Sequence, residues 1–436
     1  MGKRAIGLDT NEAWQKLFVK YDIVEQVDKE GIFFITADQI KEFREPRLMA
    51  KFDHKYNLPN LFKQNQLAIL PVTRGNYVIS HFDVYHKLEE INDKPTRVAI
   101  PDYIKSLTYT GIKSEALALN CAMATGLMQD FMEDEKVTAT VSGRMGSGNF
   151  SFNINDNRKD NKTVYQVKVE NSQIEIDAGY EGVNSLALME AKIDLPFDFM
   201  VRQLYYPFRT WSKRMKKPVR PIFLTFSNGI FQLHEYAFTD PNNYNSLKLV
   251  KAKNYLLDDE LISVKEIEGL LEKLPIVEDK DRVPFPQADT FARVINLCEL
   301  LKEKKLTKVD ITTTYDFDAR QSDYYSNAAI YLGLVEKVKN ENGNKVYTLT
   351  QRGEMLIKAN GKQRQLQICA SMLEHKVFNE TLRLYLKQGK LPEKNQIVDI
   401  MWNSKINLNK EKPDVYHRRA STVRNWIDWV VNLTKN

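Results

Sequence analysis

Residues 173–192 read QIEIDAGYEGVNSLALMEAK. Its first part alternates apolar and polar residues, the period of a strand. Its second part, SLALMEAK, is apolar enough for a core strand and then ends in Glu190, Ala191 and Lys192. Glu190 and Lys192 are two apart on a strand, so they point to the same side. Asp177 closes the earlier strand, and neighbouring strands lie about 4.8 Å apart. Asp177 and Glu190 can therefore share one hard cation such as Mg²⁺, with the Ala191 backbone carbonyl as an extra ligand. Lys192 then stands beside a bound water or an attacked phosphate. The plain alternative is a strand surfacing into water. Glu175 or Glu181 can also fill the place given to Asp177.

Outward from this stretch, the chain reads as an α/β core. Ser114 caps a helix expected over 115–132. Strands are expected at 136–143, 148–155, 163–169, 172–177 and 185–192. A further helix starts near Pro196 and Asp198 and should end or kink at Pro207. Two strands follow, at 219–226 and 229–238. Helix, strands, helix, strands describes a mixed sheet with a helix on each side.

Asp177, a spacer and Glu190-Ala191-Lys192 resemble the signature of the PD-(D/E)XK nuclease superfamily, with Ile176 where that signature has Pro. The resemblance covers about 114–238. It implies Mg²⁺-dependent cleavage of DNA: Asp177 and Glu190 bind the metal, and Lys192 positions and activates water. Gln203, on the helix after the Glu-Ala-Lys strand, matches a supporting Gln of that superfamily; Tyr206 follows at a spacing of three rather than the usual four. The basic run PFRTWSKRMKKPVR comes next, and Lys213, Lys216 and Lys217 in it are candidates to hold a DNA backbone. A solvated helix end is the ordinary reading of such a run. SGRMGSGNFSFNIN (142–155) is glycine-rich but lacks the GKS or GKT of a phosphate loop. It reads as a hairpin that lets backbone approach DNA or as a flexible turn.

Residues 1–110 read as a mixed α/β unit, with helices at 11–22 and 38–50 and strands at 31–36, 67–71 and 75–82. Arg44, Arg47, Lys51, His54, Lys55 and Arg74 read first as a solvated basic face, with DNA contact the alternative. The unit at 111–284 holds the nuclease-like core, and its end, 240–284, reads as a peripheral segment and connector. Residues 285–360 show three helical patterns and then a hairpin, with an Asn342-Gly343 turn. That order resembles a winged helix-turn-helix. The recognition helix is then 319–333, with Asp318 expected as its cap. Arg320, Gln321, Ser322, Tyr324, Tyr325 and Asn327 are offered to base edges. Lys337, Lys339 and Lys345 lie on the wing. A protein-binding winged helix is the alternative. Residues 361–436 form a basic helical region, a possible second DNA-binding module. Arg418, Arg419 and Arg424 sit in the first half of its last helix, while Trp426, Trp429, Val430 and Leu433 follow a core stripe.

Composition agrees with such a reading. The 436 residues carry a net charge of +6. Residues 362–436 hold 14 Lys and Arg against 7 Asp and Glu, so the excess sits at one end. A basic end on a near-neutral body suits a polyanionic partner. Three distant cysteines make neither a disulfide framework nor a metal clamp. No HExxH, zinc-finger or GxSxG pattern occurs. A cytoplasmic setting is expected.

Nuclease core and DNA-reading helices together resemble a type II restriction endonuclease. The resemblance implies double-stranded DNA as substrate, a homodimer at least on DNA, and a companion DNA methyltransferase in the cell. A modification-dependent or repair nuclease with the same core is an alternative, as is a non-enzymatic DNA-binding regulator.

Overall fold

The computed structural model describes residues 9–91, 93–108, 111–158, 162–258, 262–277, 283–315, 319–340, 343–359, 361–404, 406, 408 and 413–434. Asp318 and Asn342 lie outside them, as do the side chains of Arg320 and Gln321.

The centre is a seven-stranded mixed sheet. In spatial order its strands are Thr96–Val98, Leu247–Leu257, Ile230–Phe238, Val219–Ser227, Leu186–Lys192, Gln173–Glu181 and Thr138–Gly146. Leu186–Lys192 runs parallel to Val219–Ser227 and antiparallel to Gln173–Glu181. Helices Glu115–Ala124 and Leu127–Met132 pack on one face with Ala187, Met189, Ile222 and Leu224. Arg202–Ser212 packs on the other with Leu186, Leu188, Phe223 and Tyr236. Both faces of the inner strands are therefore covered, which explains the unbroken apolar run SLALM.

Four details differ from the sequence expectation. The 115–132 helix is two helices, because Gly126 adopts φ +74° between them. The 38–50 helix is likewise two short ones, Ala37–Lys41 and Pro46–Met49. Asp198–Met200 is a strand paired with Tyr85–Lys87, and the helix begins at Arg202 and continues through Pro207 to Ser212. Pro207 removes one helical N–H, but buried Leu204, Tyr205 and Tyr206 hold the helix to the core. Finally, Leu247–Leu257, read as peripheral, is a full strand paired along Ile230–Phe238.

The N-terminal unit has its own core, built on Trp14, Leu17, Ile35, Phe62, Ile69 and Ile79. At the other end the chain runs helix Phe291–Glu303, short strand Leu306–Thr307, helices Lys308–Tyr315 and Ala319–Tyr331, then hairpin Val335–Lys339 and Lys345–Leu349. The three strands form one small sheet. The tail does not stand apart: Trp426, Val430 and Leu433 share one core with Phe291, Leu332 and Leu349.

Candidate active site

The alternation that sends Leu186 and Leu188 towards helix Arg202–Ser212 sends Glu190 and Lys192 the same way. Glu190 is 8% exposed. Its Oε1 accepts from Lys192 Nζ at 2.5 Å and from Gln203 Nε2 at 2.5 Å. Lys192 Nζ also donates to the Ala191 carbonyl at 3.2 Å and lies 3.5 Å from Glu115 Oε1. Gln203 is buried, and its Oε1 has no hydrogen-bond partner among the described residues.

Asp177 joins through an irregularity in its strand. Gly143 pairs with Ile176, but Val141 pairs with Gly179, so three steps on one strand face two on the other. Ile174 and Ile176 face one core while Ala178 and Tyr180 face the opposite one. The alternation thus inverts around Asp177, as bulges beside functional sites do. Gly179 is required there, since a Cβ would lie 2.7 Å from Val141 Cβ. The ladder to Leu186–Lys192 ends at Met189 opposite Ala178. The Ala191 N–H beyond it donates to Asp177 Oδ2 at 2.8 Å.

Burial dominates the electrostatics. It pushes the Glu190 carboxyl up to about 7, against the pull of the Lys192 ammonium. Burial also raises Asp177, opposed by the Ala191 N–H and Lys192. For Lys192 burial disfavours the charge, but Glu190 and Glu115 outweigh it and its pKa lies above the ordinary value. Lys192 therefore stays an ammonium across the neutral range.

These residues line a cleft of about 650 Å³. Glu45, Arg47, Lys51, Asp53 and Arg74 of the N-terminal unit line it too, as do Glu115, Arg144, Glu175 and Arg202. The N-terminal unit is clasped to the core nearby. Met200 N–H donates to the Asp53 carbonyl at 2.7 Å, and Lys55 N–H to Asp198 Oδ1 at 3.0 Å. His54 Nδ1 lies 2.5 Å from the Asp198 carbonyl, buried, and burial lowers its pKa. Sequence reasoning missed Asp53, Glu115, Arg144 and Arg202, which no spacing marks. Of the alternatives to Asp177, Glu175 pairs with Arg144 at 3.2 Å and Glu181 with Lys217 at 2.7 Å.

Among the described residues no group of three or more His, Cys, Asp or Glu side chains is arranged as a metal cage. Mg²⁺ is commonly bound through one or two carboxylates, waters and substrate phosphates. Asp177, Glu190 and the Ala191 carbonyl fit it as oxygen donors, with the unpartnered Gln203 Oε1 beside them.

The DNA-contact candidates divide. Lys216 is exposed, Lys213 is exposed with Nζ donating to the Asn149 carbonyl at 2.8 Å, and Lys217 is tied to Glu181. In the same run Arg209 braces Tyr205 and Pro241, and Arg220 grips Glu235 through two nitrogens, so these two are structural. Ser322 and Tyr325 are corrections: Ser322 is fully buried with its hydroxyl 2.8 Å from Thr312 Oγ1, and Tyr325 is packed into the core with 8% exposure. Tyr324 and Asn327 are half-buried. Arg418 is exposed, and Arg419 is half-buried, its Nε and Nη1 without a hydrogen-bond partner among the described residues; burial lowers its pKa to about 10. Arg424 Nε donates to the Pro392 carbonyl at 3.3 Å.

No described helix is long and apolar enough to cross a membrane. No curated protein and no solved structure matches the chain. Three family models do, each described as a domain of unknown function: DUF6996 over residues 11–79, DUF6997 over 80–256 and DUF7226 over 293–435. The second of these contains Asp177, Glu190, Lys192 and Gln203.

Proposed function

We propose that the chain is a Mg²⁺-dependent endodeoxyribonuclease with a PD-(D/E)XK core, of the type II restriction kind, cutting double-stranded DNA at or near a short sequence. The observation that carries this is the convergence of Asp177, Glu190, Lys192 and Gln203 at one cleft floor. The flanking helices and mixed sheet support the core reading. Helix, short strand, two helices and hairpin support a winged helix as DNA reader, with Asn327 and Tyr324 on its accessible side. A homodimer on DNA follows from the need to cut two strands. A companion methyltransferase follows from the need to protect the host's own sites.

In this reading Asp177, Glu190 and the Ala191 carbonyl would hold Mg²⁺, which would supply a lowered water pKa and screening of phosphate charge. Gln203 keeps Glu190 facing the cleft through its Nε2 hydrogen bond. Lys192, held as an ammonium, stabilises the negative charge that builds on the phosphate oxygens. Water oxygen bonds to phosphorus and releases its proton to solvent, one ester P–O bond breaks, and the departing oxygen takes a proton from solvent water.

The test is mixed-sequence plasmid DNA with Mg²⁺, incubated with wild type and with Lys192→Ala. Discrete fragments from the first and none from the second, with DNA binding retained, are expected. Equal cleavage by both refutes the site assignment.

A further inference from the structure

Resting on that reading, we propose that the N-terminal unit supplies the phosphate-gripping wall of the cleft, through Arg47 and Arg74. Its partner is the DNA backbone beside the scissile phosphate. The basic residues of 1–110 alone are only a charged face; their position changes the argument. Arg47, Lys51 and Arg74 stand on one wall of the cleft whose floor carries Glu190 and Lys192. Arg44 and Lys55 do not line that cleft, and His54 is buried behind it.

Charge is mixed at both depths: Lys192 shares the floor with Glu190, and exposed Glu45 and Glu175 share the rim with the arginines. The buried floor holds Glu190, Gln203 and the half-buried Asp177. Exposed cations stand at the rim: Arg47, Lys51, Arg74 and Arg144. Two of them are already engaged, Lys51 with Asp53 at 3.7 Å and Arg144 with Glu175 at 3.2 Å. For Arg47 and Arg74 no ion pair occurs among the described residues. A cleft with carboxylates beside Lys192 on its floor and Arg47 and Arg74 exposed at its rim suits a metal-assisted reaction on a polyanion. The floor takes the cation and the rim takes the flanking phosphates.

The rim also continues into the core. Arg74 Nη2 lies 3.9 Å from where a Cβ of Gly146 would stand, and Arg214 Nη2 donates to the Gly146 carbonyl at 3.4 Å. Arg214 adjoins Lys213, whose Nζ reaches the Asn149 carbonyl. One basic track therefore runs from the cleft mouth, across the glycine-rich turn, to the exposed run after helix Arg202–Ser212. Gly143 (φ +88°) and Gly148 (φ +66°) border this turn with open space where a Cβ would be. Backbone there can approach a sugar-phosphate chain closely.

The test measures binding of the full chain to a fluorescent mixed-sequence duplex as NaCl is varied, with Ca²⁺ replacing Mg²⁺ so that no strand is cut. Each lost phosphate contact flattens the plot of log K against log salt by about 0.9. Arg47→Ala/Arg74→Ala is expected to flatten it by about 1.8. Arg47→Lys/Arg74→Lys keeps the wild-type slope, as does Lys248→Ala/Lys273→Ala, which removes two exposed lysines outside the cleft. Wild-type slope in the double alanine variant overturns this proposal and leaves the nuclease reading standing. No duplex binding by the wild type at low salt overturns both.

Discussion

Glu190 and Lys192 meet at 2.5 Å with side chains 10% and 14% exposed. Lys192→Met leaves a buried carboxylate without its ammonium. Glu190→Gln leaves the ammonium with Glu115, at 3.5 Å, as its nearest remaining counter-charge. Breaking a buried pair from one side costs about 3–5 kcal/mol, while replacing both members with neutral groups is often neutral or stabilising by about 1–4 kcal/mol. At pH 8 Lys192→Met should therefore lose about 4 kcal/mol and Glu190→Gln about 3 kcal/mol. The double variant should lie within about 1 kcal/mol of wild type or above it, a strongly non-additive cycle. The pH dependence has a definite sign. Burial already holds the Glu190 carboxyl up at about 7, and removing Lys192 raises it further. The unfolded carboxyl titrates near about 4.3. The folded variant keeps a proton that the unfolded chain releases, so its stability falls as pH rises from that value through the folded one. The Lys192→Met penalty relative to wild type is thus small at pH 5 and full at pH 8. Urea unfolding followed by far-ultraviolet circular dichroism at both pH values measures this. Additive single losses, or a larger Lys192→Met penalty at pH 5, refute the reasoning.

The remaining predictions concern single contacts. Asp177→Asn keeps an acceptor for the Ala191 N–H, so thermal unfolding should match wild type while cleavage is lost. Asp177→Ala strands that N–H and should cost about 1–3 kcal/mol. Gln203→Leu removes the Nε2 donor to Glu190 and should raise the Mg²⁺ concentration for half-maximal cleavage about 10-fold or more. Gly179→Ala forces a Cβ against Val141 and should cost about 1–3 kcal/mol in thermal or urea unfolding.

What the sequence made legible was local. Period-two alternation placed Glu190 and Lys192 on one side of a strand, and the apolar run SLALM placed that strand between two others. The bulge that turns Asp177 was not legible, because it depends on how Val141 and Gly143 pair with Ile176 and Gly179. Leu247–Leu257 was missed because several of its central residues are exposed or half-buried, which blurs the strand period. Ser322 and Tyr325 were misplaced although the signal was present. The inward stripe through Ala328 and Leu332 extends back at helical spacing to both. Arg209 and Arg220 read as a basic run, yet each is consumed by carbonyl and carboxylate partners distant in sequence.

The N-terminal wall was the least legible part, since Asp53 and Arg74 meet the core only through tertiary packing. Its clearest mark is a concentration of unmet polar atoms. Asp53 Oδ1 and Gln203 Oε1 are buried with no hydrogen-bond partner among the described residues, although Arg202 Nη2 stands 3.8 Å from Asp53 Oδ1, and both residues line the cleft. Asp194 Oδ1, also unpartnered, belongs to a carboxyl that interacts electrostatically with both Lys192 and His54. Folding alone disfavours such atoms, because each buried polar group without a partner costs about 1–3 kcal/mol. Of these three atoms, those of Asp53 and Gln203 belong to residues that line the cleft, where a bound ligand can supply partners, while Asp194 does not line it. Two come from the core and one from the N-terminal unit. The clasp at Asp198 and Met200 therefore does more than join two units: it holds Asp53 and the arginine rim in register with the Glu190–Lys192 floor.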